Sequence, residues 1–265
     1  MNGPGWKKTF AAAMACLFFP ATLSGQDNMP GKKAPSSLRL PADTARVRTS
    51  YAKWAIPALC ITYGVVARFN ETPVRRFDHY VADRVNENIH RHYAVDDYLQ
   101  YAPAMAAFGL DFLPGITSGH NLRDRTLLFA TSYLFMGAAV GAMKTQLSVW
   151  RPLRQADNSF PSGHTAMAFT GAHLLYREYR DVSPWIGIGG YAVATATGVL
   201  RVVNQRHWVS DVVTGAGIGI LSVEAAYLML PVWHRLLGIR DGGGRMTFMP
   251  AVSPAGAGVG WVYVF

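Results

Sequence analysis

The chain has 265 residues, 50% apolar and 15% charged, with a formal charge of +9. Soluble domains average about 25% charged residues, so the deficit points to lipid contact and argues against a soluble nucleic-acid binder. The basic excess suits anionic head groups instead. The length holds one sizeable domain. With Cys16 in a removable leader, Cys60 is left alone and no disulfide framework is expected.

Residues 1–24 set Lys7 and Lys8 before an apolar run over 10–23, with Ser24 at its edge. That pattern predicts a secretory signal peptide. Residues 25–53 read as a polar linker punctuated by Pro30, Pro35 and Pro41. The first later apolar run, 54–67, is short and contains Pro57. Runs of about 10 to 14 residues are more often interfacial or re-entrant than spanning. Residues 68–97 are polar and include one amphipathic helix; His79, His90 and His92 read as solvated sequence rather than a metal cluster.

A second apolar helix is predicted over 98–113, with Asp96 and Asp97 near its start and Pro114-Gly115 beyond it. Asp111 reads as a carboxylate at the interface. A clear span over 126–143 closes on Lys144, and a helix over 165–176 continues from Ser162-Gly163-His164. The span 184–203 is rich in Gly and Ala, which permit close helix packing. The last, 212–230, is bounded by Asp211 and Pro231. The expected fold is therefore all-α: a multi-span membrane bundle of about six helices. The membrane domain covers 54–237, and a Gly-rich tail covers 238–265. Alternation over 259–265 suggests one short strand, which alone closes no barrel.

Topology gathers the chemistry. In an antiparallel bundle the end of one helix and the start of the next share a membrane face, as does the next junction but one. Lys144, the Ser162-Gly163-His164 turn, Arg201, His207 and Asp211 therefore converge at one end. Cations gathered beside spans imply an anionic ligand. Arg151 and Arg201 suit bidentate phosphate contacts, Lys144 adds a point charge, and Ser162-Gly163 opens a helix whose N–H groups favour an anion. Asp211, four residues after His207, is expected on the same helix face. There it would fix the tautomer and leave the other ring nitrogen free to attack. His164 is the expected acid and then base. No carboxylate cluster for a divalent ion accompanies these residues, so no metal or other cofactor is expected.

The three ordered blocks resemble the type 2 phosphatidic acid phosphatase superfamily. They are Lys144 to Arg151-Pro152, Pro161-Ser162-Gly163-His164, and Arg201 to His207 and Asp211. The resemblance covers roughly 96–230 and implies a bundle of the phosphatase and haloperoxidase type. It implies a phosphohistidine at His207, His164 as acid and base, and a phosphate held by Lys144, Arg151, Ser162, Gly163 and Arg201. Leu200 stands where the family usually has Ser. Asp96-Asp97-Tyr98-Leu99-Gln100-Tyr101 and Ser159-Phe160 look like the bacterial lipid A and lipid phosphatase branch.

Blander readings apply elsewhere. His173 reads as a packing residue, and His120 and Asn121 as loop residues on the far face. Arg154 and Arg206 read as snorkelling cations or head-group contacts, and Trp150 and Trp208 as interface anchors. The favoured function is a membrane phosphatase for an anionic phospholipid, isoprenoid pyrophosphate or lipid A phosphate. The alternatives are a vanadate-dependent haloperoxidase, against which the apolar spans argue, and a non-catalytic lipid-phosphate binder. Arg39, Arg46, Arg48, Lys53, Arg177, Arg180, Arg235 and Arg240 fall on the far face. By the positive-inside rule, the site of an inner-membrane protein would then face the periplasm.

Overall fold

The computed structural model describes residues 52–68, 72–89, 91–113, 115–239, 245–253 and 256–264. The expected leader, most of the linker, His90, Pro114, Arg240 and the triple glycine lie outside them. Among the described residues the order is α1 (Ala52–Val66), α2 (Pro73–Asn88), α3 (Asp96–Leu99) and α4 (Ala102–Gly109), then a 3-10 turn (Leu110–Phe112). Next come α5 (Leu122–Gln146), α6 (Gly163–Tyr179), α7 (Pro184–Val203), α8 (Val209–Leu236), β1 (Arg245–Ser253) and β2 (Gly256–Val264).

Local chemistry sets the helix starts. Thr72 caps α2 and Pro73 follows it, where a missing N–H costs nothing. Asn121 caps α5 by accepting the Asp124 N–H at 2.9 Å. Ser183-Pro184 opens α7. The bundle is built around α6, which packs against α4, α5, α7 and α8, while α1 lies along α8.

Among the described residues three helices are long and apolar enough to cross a membrane: α5 with 25 residues, α7 with 20 and α8 with 28. That is fewer than the five or six expected. α6 has 17 residues and buries Thr165, Thr170, His173 and Glu178. A helix enclosed by neighbours does not need an apolar surface, so its sequence reads less like a span. The predicted helix over 98–113 is broken: α3 ends before Gln100, α4 begins at Ala102, and the chain then tightens into the 3-10 turn. Pro103 near the start of α4 tolerates that break but not an uninterrupted helix.

Contact distances are short where small residues allow it. A Cβ on Gly215 of α8 would meet Ser162 O at 2.5 Å. One on Gly64 of α1 would meet Thr214 Oγ1 at 1.6 Å and Ser210 O at 2.8 Å. Both close approaches lie at the site end of α8. The tail holds two strands where one was expected: β1 and β2 pair antiparallel, with Phe248 opposite Trp261 and Met246 opposite Tyr263. The alternation of β2 was legible, but Pro250 and the mixed pattern of β1 hid its partner.

Candidate active site

The loop between α5 and α6 folds back on itself before entering α6. Val149 N–H donates to Asp157 O at 2.8 Å, Ser159 N–H to Val149 O at 2.9 Å, and Arg151 N–H to Ala156 O at 2.9 Å. The Phe160–Pro161 peptide is cis. The loop is then stitched to the start of α8: Ser162 N–H donates to Asp211 O at 3.1 Å, and Trp208 Nε1–H to Trp150 O at 2.7 Å. Two of the three sequence blocks thus meet through the backbone.

His207 lies before α8, not on it, so the expected shared helix face is corrected. Its Nδ1 is 2.7 Å from the Ser159 carbonyl oxygen and 3.5 Å from Asp211 Oδ2. A carbonyl can only accept, so Nδ1 carries the proton and Nε2 is left with a free lone pair. Ser159 O is the nearer tautomer-setting group. Asp211 Oδ2 accepts from Ser159 Oγ–H at 2.5 Å and from Trp208 N–H at 3.0 Å. Asp211 therefore holds the loop as much as the imidazole. Burial pushes His207 below the ordinary histidine value; Asp211 pulls it up again, and the Arg201 and Lys144 cations press it down. The ring is neutral near pH 7.

His164, the second residue of α6, has Nε2 3.0 Å from Asp97 Oδ1. The carboxylate accepts a hydrogen bond from Nε2–H and leaves Nδ1 for exchange. Arg201 closes α7 and is buried; its Nη1 donates to Asp96 Oδ2 at 2.7 Å and lies 3.4 Å from Asp97 Oδ1. Lys144 Nζ donates to Asn158 O at 2.6 Å and Arg151 Nη2 to Asn158 Oδ1 at 3.0 Å. The Nε atoms of Arg151 and Arg201 are buried without a hydrogen-bond partner. Lys144 and Arg151 have no carboxylate within ion-pair distance among the described residues. Each has donors to spare.

Ser162 departs from expectation. Its side chain is buried at the N-cap of α6, 2.9 Å from Thr165 Oγ1, and its N–H is taken by Asp211 O. It shapes the helix start rather than offering donors. Gly163 and His164 begin the helix, where N–H groups have no intrahelical acceptor.

Sequence reasoning noted Asp96, Asp97 and Ser159 only as part of a resemblance and gave them no role in the site, and it missed Asn158. The adjacency of Asp96 to the apolar run was visible, but only tertiary structure brings it to Arg201, 105 positions away. His173 is also corrected. It is no packing residue but a bridge, with Nδ1 2.5 Å from Tyr191 OH and Nε2 2.8 Å from Glu224 Oε1. Among the described residues no group of three or more His, Cys, Asp or Glu is placed to hold a metal ion. His79 instead meets the edge of Trp208 at 4.7 Å.

Membrane-length helices that bring fixed cations and two imidazoles to one end define a class. Residues 125–235 match the family model of the PAP2 superfamily. Over 136 residues the chain is 40% identical to a lipid A 1-phosphatase of Porphyromonas gingivalis, covering 51% of this chain and 31% of that protein. Over 77 residues it is 31% identical to the bacitracin transport permease protein BcrC of Bacillus licheniformis, covering 29% of this chain and 36% of that one. The chain thus spans about a third of the length of these curated relatives. A solved transmembrane PAP2 type phosphatidylglycerolphosphate phosphatase from Bacillus subtilis aligns with 73% of this chain and 100% of its own, at 15% identity and a TM-score of 0.40.

Proposed function

We propose that the protein is a membrane phosphatase that removes a phosphate from a lipid through a phosphohistidine on His207. The observation that carries this is the surplus of positive charge beside a neutral, tautomer-fixed imidazole. Lys144 and Arg151 hydrogen-bond only neutral oxygens, and Arg151 and Arg201 keep buried unpaired Nε donors. A phosphate dianion supplies the missing acceptors and charge.

In the reaction, His207 Nε2 attacks phosphorus as the bond to the lipid oxygen breaks. His164, protonated, gives its Nδ1 proton to that oxygen. A water then attacks the phosphohistidine, His164 takes its proton, the P–N bond breaks and inorganic phosphate leaves. Lys144, Arg151 and Arg201 stabilise charge on the five-coordinate phosphorus, an effect often worth several kcal/mol. Asp211 and Ser159 hold the imidazole throughout.

The substrate we favour is a lipid A phosphate, supported by the Porphyromonas gingivalis relative. The site is placed at the periplasmic face of the inner membrane, supported by the far-face basic residues of the sequence. Lys53 and Arg177, however, are committed to Glu224 at 3.8 and 2.5 Å, so the remaining cations carry the bias. A topology reporter at position 245 should read cytoplasmic; a periplasmic signal overturns that orientation.

The deciding experiment uses purified full-length protein in mixed micelles. Phosphate release is measured from lipid A 1-phosphate, phosphatidic acid, phosphatidylglycerol phosphate and undecaprenyl pyrophosphate. Release from the first and its loss in His207→Asn are expected. Release from another lipid alone overturns the substrate, and unaltered release in His207→Asn overturns the mechanism.

A further inference from the structure

Asp211 is completely buried, and its Oδ1 accepts no hydrogen bond. A bare carboxylate oxygen in such a place is costly unless a cation faces it. The cation is Arg68, beyond the C-terminal end of α1 and outside the stretch matched to the superfamily. Its Nη1 lies 3.6 Å from Asp211 Oδ1. The rest of the guanidinium is fixed in several directions. Nη2 donates to Ser210 Oγ at 2.5 Å, Nε to Gly64 O at 3.3 Å, and the plane lies over Phe160 with its centre 4.9 Å from the ring centroid.

Asp78 of α2 completes the arrangement. It is buried, accepts Ser210 N–H at 2.9 Å and Ser210 Oγ–H at 2.5 Å, and sits 3.4 Å from Arg68 Nη2. A chain of alternating charge therefore runs Asp78, Arg68, Asp211, His207. The close approach of α1 at Gly64 is what lets Arg68 reach behind α8.

We propose that Arg68 is a positioning residue of the phosphatase site: its cation faces the bare Oδ1 of Asp211 and offsets the negative charge that this carboxylate presents to His207. The inference rests on the phosphatase reading above. The charged groups around the His207–Asp211 pair are Arg68 from the end of α1, Asp78 from α2, Lys144 from α5, Arg151 from the loop and Arg201 from α7. Removing the Arg68 cation makes the surroundings of His207 more negative. That change holds a proton on His207 and moves the acid limb of the rate profile to higher pH. Asp78 acts in the opposite sense, because it neutralises part of Arg68.

The test is the pH profile of kcat/KM for phosphate release from one lipid phosphate by the full-length protein. Arg68→Gln should raise the acid limb by about one pH unit, near the lower end of the shift one close charge gives. At pH values below both acid limbs it then loses roughly tenfold, with much less loss at pH 8. Arg68→Lys should restore most of the parental limb. Asp78→Asn should move the limb to lower pH. A purely structural role for Arg68 would lower the rate evenly at all pH values, and that result overturns the inference. Should Arg68→Gln fail to fold, the direction for Asp78→Asn decides alone: an unmoved or raised limb overturns it. Unaltered release in His207→Asn, or none by the parental protein, would overturn the phosphatase reading and this inference with it.

Discussion

The two ends of the helix bundle solve the problem of buried charge in different ways. At the end away from the site, cations meet carboxylates. Arg125 pairs with Asp111, His120 Nδ1 lies 3.0 Å from Glu178 Oε1, and His234 Nε2 lies 3.0 Å from Asp124 Oδ1. Tyr179 OH adds a hydrogen bond to Asp111 Oδ1 at 2.7 Å. At the site end Arg201 and Arg68 also meet carboxylates, but Lys144 and Arg151 rest only on the carbonyl and amide oxygens of Asn158. Internal pairing serves stability; leftover charge serves a ligand. The far end teaches what a structural ion cluster looks like in this chain, and by that standard the site end is incomplete without an anion.

The sharpest way to break this contrast is to remove charge from each end in turn. Lys144→Gln or Arg201→Gln should lower kcat/KM by about 10²- to 10³-fold, the usual cost of losing a group that stabilises developing charge. Lys144→Gln should leave the melting temperature close to parental, because it strands no counter-ion. Arg125→Met should do the reverse. It leaves Asp111 unpaired beside Tyr179, and breaking a buried pair costs about 3 kcal/mol or more; Asp111 is 30% exposed, which lowers the expected loss to about 2 kcal/mol. Thermal unfolding and phosphate release measured on the same samples separate the two. If Arg125→Met lost activity as severely as Arg201→Gln without unfolding, the division between the ends would fail.

Titration sharpens the contrast further, because a histidine at each end shifts in an opposite direction. Burial lowers His207. An imidazole that must be neutral to attack loses activity only as the pH falls below its depressed value, so release should persist below about pH 6.5. His120 is raised, chiefly by its hydrogen bond to Glu178. Its contribution to stability is present below the unfolded histidine value and is lost as pH rises through the raised folded value. His120→Gln should therefore lower the melting temperature at pH 6 by a few degrees and by less at pH 8. An equal loss at both pH values would show that the pair contributes no proton-linked stability.

Much of this contrast was legible in the chain before folding. Loop lengths and alternating helices were enough to bring Lys144, His164, Arg201, His207 and Asp211 to one end, because helix succession fixes which termini are neighbours. What sequence could not show was pairing across long separations. Asp96 with Arg201, Arg68 with Asp211 and His173 with Glu224 depend on how helices rotate about their axes, and no periodicity reports that. The His207–Asp211 spacing also misled, since four residues imply one helix face only inside a helix. Here α8 starts at Val209, and the pair is joined across a helix start. The span count fell short for a related reason: α6 is enclosed, so its polar residues hide it from a reading tuned to lipid-facing surfaces.

The smallest expected effect concerns Ser162, where the motif and the geometry assign different work. As a phosphate ligand its hydroxyl would face the substrate, and Ser162→Ala would raise KM by about tenfold or more, the loss of one hydrogen bond to a charged group. In the structure the hydroxyl is buried against Thr165 and caps α6. Losing a cap of this type costs about 1 kcal/mol of stability, with the backbone N–H bond to Asp211 retained. Ser162→Ala should therefore melt slightly earlier and keep KM within about twofold, since the backbone that positions Gly163 and His164 is unchanged. A KM increase of tenfold at unchanged stability would return Ser162 to the phosphate shell. It would also mean that the start of α6 rearranges when the anion binds, bringing into the site a hydroxyl that now serves only the helix.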